Sequence, residues 1–165
     1  MGVSDSLWRI LGSEKIITGE YLVTLKARHT LGVLPELNSN IVPKRGREKA
    51  IETFEKLVDS AYRETPGSIV DRARDAAQWC LGTWADGTNE LLLHKDLGDL
   101  IASIDKRVND KPTIILSASR IVARLHARGK PNEQEKRSLR PLMEADAEFA
   151  LAALGLLLRE FGWTH

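Results

Sequence analysis

The chain has 165 residues, with 24 Lys and Arg against 23 Asp and Glu and a formal net charge of +1. That balance excludes a histone-like basic tail and an acidic disordered tail, and 42% hydrophobic with 28% charged residues marks a globular chain. The single cysteine, Cys80, excludes an internal disulfide framework and a Cys-rich zinc module, and points to a reducing, cytoplasmic setting.

In chain order the pattern reads as helices throughout, with two short ones expected over residues 4–11 and 13–30, the second weakened at Gly19. Residues 32–47 hold Pro35, Asn38, Ser39, Asn40, Pro43 and Gly46, the clearest loop in the chain. A third helix is expected over 47–63, where Ala50, Ile51, Phe54, Leu57, Val58 and Ala61 recur at three and four. A fourth is capped by Ser68 and carries Ile69, Ala73, Ala76, Ala77, Cys80, Leu81 and Trp84 on one face. A fifth is expected over 90–108 and a sixth over 113–127, with Pro112 at its start. The last runs from about residue 132 to 161, kinked or truly begun at Pro141, and is apolar on nearly every face over 145–158. The expectation is an all-α bundle of six or seven helices. Residues 1–66 form an unassigned N-terminal part packed on the same domain, and 67–165 the main helical unit.

Residues 1–9 lack the basic start and apolar core of a secretory signal, and no apolar run approaches the roughly 20 residues needed to span a bilayer, so no membrane partner is expected. His29, His94, His126 and His165 are far apart, with no His-x-x-x-His pair, and no phosphate-binding glycine loop is present; neither metal nor cofactor is expected. Cys80 sits among apolar neighbours and reads as a small buried hydrophobe.

The informative segment is 117–130. Ile114, Ala118, Ile121, Val122 and Leu125 make an apolar face, while Arg120, Arg124 and Arg128, spaced by four, make a cationic stripe. His126 lies at the apolar edge, about 120° from Arg120 on a regular helix. The two can converge only if the helix loosens near Gly129 or a second copy supplies one of them. Asp146 falls on the apolar line of the last helix, where an acid must be paired. His126, Arg120, Lys136 and Arg140 are all candidates for that pairing. Asp71, Arg72, Arg74 and Asp75 form a dense polar face, read as intrahelical pairs or as the lining of a cleft. Trp79 lies off its helix's apolar line, where an aromatic anchor at a dimer interface would sit.

Arg120, five residues and His126 fit the arginine, four-to-six residues, histidine motif of the HEPN superfamily. The motif's place before a Gly-Lys-Pro-Asn loop and a long apolar C-terminal helix resembles the abortive-infection C-terminal branch of that superfamily, over residues 67–163. The chain departs from the family pattern at Ile121, where a polar residue is usual, and at Ala127, where a glycine is common. The resemblance implies a metal-independent endoribonuclease of a prokaryotic defence or toxin system, acting on RNA as a homodimer, with a regulatory protein as a further partner. It implies His126 as general acid or base and Arg120 as phosphate clamp. Arg124, Arg128 and Lys130 would then hold flanking phosphates, and Asp146 would be an orienting acid. Histidine titrates near neutrality, and arginine offers a fixed fork of donors to a phosphorane-like transition state, so the chemistry is coherent. The alternative is a non-catalytic helical interaction or regulatory module, an inactive relative within a larger complex. Near-neutral net charge argues against sequence-specific DNA binding.

Overall fold

The structure is a computed structural model and describes residues 8–27, 34–61, 63–85, 92–107 and 112–164. The chain is mostly helical, with six helices and one two-stranded sheet among the described residues. The helices are α1 (Arg47–Ser60), α2 (Pro66–Ala85), α3 (Leu97–Arg107), α4 (Thr113–Gly129), α5 (Pro131–Arg137) and α6 (Glu144–Glu160).

The two N-terminal helices expected over 4–11 and 13–30 are not there: the described part is an antiparallel hairpin of β1 (Trp8–Lys15) and β2 (Tyr21–Ala27). Gly19, with φ of 88°, is the turn residue, and the turn closes through Gly19 N–H to Ile16 O and Ile16 N–H to Glu20 O, both 2.9 Å. Only glycine adopts that backbone without strain, so Gly19 marks a reversal rather than a weak spot in a helix. The register pairs Ile10 with Leu25, Ser13 with Val23 and Lys15 with Tyr21, with a bulge between Ile10 and Gly12. Thr113-Ile114-Ile115-Leu116, a short β-branched run, is the first turn of α4.

Two further boundaries shift. The helix expected from residue 90 begins at Leu97, because Leu92 and Leu93 are buried in a turn ahead of it. The last helix is two: α5 ends at Ser138, whose φ is 50°, and α6 starts three residues after Pro141, which cannot donate the backbone hydrogen bond a continuous helix requires.

The core forms around α6, which lies against both α2 and α4. Its Ala150, Leu154, Leu157 and Leu158 are fully buried, opposite Ala76, Ala77, Cys80 and Leu81 of α2 and Val122 of α4. The small residues of α2 allow close approach of the helix axes. The same buried cluster takes in Leu34 and Val42 of the loop and Ala50, Phe54 and Leu57 of α1. The loop is tied to the C-terminus by Asn38 N–H to Trp163 O at 2.8 Å. There Trp84 stacks on Phe161 with centroids 5.2 Å apart, and Phe161 meets Trp163 at 5.0 Å. Arg47 holds the loop's end by donating from Nε to Val42 O at 2.8 Å.

Gly46 precedes α1 with φ of 76°, and a Cβ there would run into the Thr83 side chain and lie 2.9 Å from Leu93 Cδ2. Gly46→Ala is therefore expected to lower unfolding free energy by roughly 2 kcal/mol through backbone strain and the clash together. Chemical denaturation of the two proteins checks this, and equal midpoints would contradict it.

Candidate functional site

The 117–130 segment is regular helix throughout, with α4 continuing to Gly129, so no loosening brings Arg120 and His126 together. Arg120 points to α3, where its Nη2 donates to Asp105 Oδ2 at 3.0 Å. His126 points to α2, with Nε2 3.5 Å from Asp71 Oδ1. Within one chain the motif residues face different neighbours, as their helical phase of about 120° requires.

The rest of the cationic stripe divides between the same two fates. Arg128 lies across the α4–α6 junction with Nη1 3.4 Å from Asp146 Oδ1. Arg124 is exposed and has no ion pair among the described residues, and Lys130 is the exposed residue that ends α4. Asp105 and Asp146, acids from outside the segment, thus offset part of its positive charge, leaving Arg124 and Lys130 facing solvent.

Asp146 is buried, with a side chain 8% exposed, and does not reach His126 or Arg120. Arg140 grips it in a fork, Nη1 to Oδ2 at 2.6 Å and Nη2 to Oδ1 at 3.0 Å. The Met143 backbone N–H adds a third donor at 2.8 Å, the N-terminal half of a capping interaction for α6. The Arg140 hydrogen bond, opposed by burial and aided by the Met143 N–H and the Arg128 charge, holds its carboxyl below the usual range. The expected orienting acid is a structural knot, and its partner Arg140 was one of the candidates named by spacing.

His126 is half-buried. Burial lowers its pKa, opposed by the Asp71 carboxylate and assisted by the Lys130 and Arg74 charges. Asp71, seen in sequence only as part of a polar face, is the carboxylate that can orient this ring. The neighbouring arginines are committed elsewhere: Arg72 forks onto Glu64 at 2.7–3.0 Å across the α1–α2 turn, and Arg74 pairs with Asp75 and Asp96. Sequence spacing suggested intrahelical pairs for this face, but Arg72 instead reaches back to Glu64 in the connection between α1 and α2. Trp79 is partly buried and meets the His94 ring edge-on, with centroids 6.4 Å apart. Cys80 is fully buried, which pushes its thiol pKa up to about 12 and removes it as a nucleophile.

No group of His, Cys, Asp and Glu able to hold a metal occurs among the described residues, and no helix among them is long and apolar enough to cross a membrane. Comparison with family models, with curated proteins and with solved structures finds no match.

One uncovered feature among the described residues is apolar. Between α4 and α6 runs a groove of about 340 Å³ lined by Ile114, Ala118, Ile121, Phe149, Ala152 and Leu156. Ile114 and Phe149 on its walls are each 53% exposed.

Because the fold lowers the His126 pKa, the unfolded chain binds the proton more readily. The stability held by neutral His126 is complete above its unfolded pKa, about 6.5. It falls as pH drops below that value toward the folded one. A His126→Gln variant is expected to show a flatter dependence of melting temperature on pH below about 6.5 than the wild type. Parallel pH profiles would refute this.

Proposed function

We propose that this chain is a helical interaction module that works by assembling with another protein surface. The observation that supports it is the pairing of two facts. The arginine stripe is ion-paired at both ends, to Asp105 and Asp146. The α4–α6 groove and the hairpin meanwhile present large apolar side chains to water. Exposed contiguous apolar surface rimmed by polar residues marks interaction sites in folded proteins. The resemblance to the abortive-infection branch of the HEPN superfamily agrees with a role in a prokaryotic defence assembly.

The expected outcome is that labelled chain, in extract of the cells that make it, sediments above the 18.4 kDa of a single copy. Phe149→Glu should return it to that mass with unchanged helical circular dichroism. A single-copy mass for the wild type, both in extract and pure at every concentration, overturns the reading.

A second reading, metal-independent RNA cleavage, is favoured by the His126–Asp71 pair. A half-exposed imidazole held by a carboxylate can take a proton from a ribose 2′-hydroxyl or return one to the leaving oxygen. Since Arg120 of the same chain faces α3, the phosphate clamp in this reading comes from a second copy. With chelator present, wild-type protein should then cut mixed RNA, and His126→Ala and Arg120→Ala should each slow cleavage by about 10²-fold or more. RNA left intact by the wild type refutes this second reading.

A further inference from the structure

The hairpin is amphipathic, and among the described residues nothing covers it. Cross-strand partners share a face, so Ile10, Leu25, Val23 and Tyr21 lie together with Ser13 and Lys15, while Gly12, Thr24, Glu14 and Leu22 occupy the other side. Ile10 and Tyr21 are 67% exposed, Leu25 50% and Val23 45%. Every hairpin side chain that is described is exposed. A two-stranded hairpin without cover is marginal in water, so its apolar face requires a surface to rest on.

We propose that the hairpin of one copy docks its apolar face into the α4–α6 groove of a second copy, and receives the reciprocal contact in return. This rests on the module reading and names its partner. Three observations favour a second copy over an unrelated protein. Donor face and acceptor groove are both unpartnered and both belong to this chain, so one two-fold arrangement covers all of this surface, whereas another protein seated on either would leave the other wet. The reciprocal contact also doubles the buried area toward the roughly 1,200 Å² or more of a stable interface, which one short hairpin face does not reach alone. The charges agree as well. Lys15 is the charged side chain described on the apolar face, and Glu148 and Glu160, four residues before Ala152 and four after Leu156 of the groove wall, are exposed acids on the same side of α6 by helical spacing. Six residues, 28–33, separate Ala27 from buried Leu34, enough for a reach of about 20 Å.

Sedimentation of the purified full-length wild type, Val23→Glu, Phe149→Glu and Thr24→Glu tests this, with circular dichroism confirming that each is folded. The wild type and Thr24→Glu, which alters the polar face, should run at twice the single-copy mass. Val23→Glu and Phe149→Glu should each run as single copies. An equal mixture of those two should stay largely single-copy, because only one of the two reciprocal contacts is then intact and one contact alone falls short of a stable interface. A single-copy wild type when pure, as docking within one chain would give, overturns the proposal; assembly in extract then still supports the module reading with another partner. Val23→Glu or Phe149→Glu remaining dimeric overturns it in favour of groove-to-groove or hairpin-to-hairpin contact. A mixture of the two variants that runs as a stable dimer also overturns the reciprocal arrangement, since one contact would then suffice.

Discussion

Burial of α6 organises this fold. A helix apolar on nearly every side has no face suited to water, so α2 and α4 must close on it. They do so with small residues, Ala73, Ala76 and Ala77 on α2 and Ala118 on α4, that let backbones come near. The phase of α4 is fixed by that closure. Once Val122 and Leu125 face the core, Arg120 must turn toward α3 and His126 toward α2. The separation of the motif residues is therefore a consequence of core packing and not of local distortion.

The charges are arranged to connect elements. Glu64–Arg72 closes the α1–α2 turn, Arg74–Asp96 ties α2 to the approach of α3, and Arg120–Asp105 joins α4 to α3. Exposed pairs of this kind are screened by water and contribute little to stability. Their larger effect is on the surface field. A segment with several arginines and no acid of its own carries less net charge than its sequence suggests once acids from neighbouring elements approach it. Counting charge along a segment overstates the potential that a ligand would meet there.

The helices were legible where burial enforces periodicity. The three-and-four recurrence of Ala50, Phe54 and Leu57, and of Ala73, Ala77 and Cys80, follows from contact with the core. The hairpin was not legible for the converse reason. Leu22, Leu25 and Lys26 are also compatible with helical spacing, and the alternation Tyr21, Val23, Leu25 is short. No core within the chain sharpens that alternation, since these side chains are exposed. The split between α5 and α6 was half legible, through Pro141. The site was legible in its residue types, but the pairings of Arg120 with Asp105 and His126 with Asp71 join elements 15 and 55 positions apart, which spacing cannot reveal.

The knot at Asp146 bears on how α6 finds its seat. A cylinder that is greasy on most sides can rotate or slide within an apolar sleeve at small cost, because one Leu or Ala replaces another. Hydrophobic burial alone would leave several nearly equal settings. Asp146 breaks that degeneracy. Its two oxygens are met by directional donors from three places, Arg128 at the end of α4, Arg140 in the connection and Met143 N–H at the start of α6 itself. A shift of α6 by one residue would strand a buried carboxylate away from all of them, a penalty greasy contacts cannot offset. The acid thus acts as an index mark, selecting a single axial and rotational setting for a helix whose own surface scarcely distinguishes one from the next.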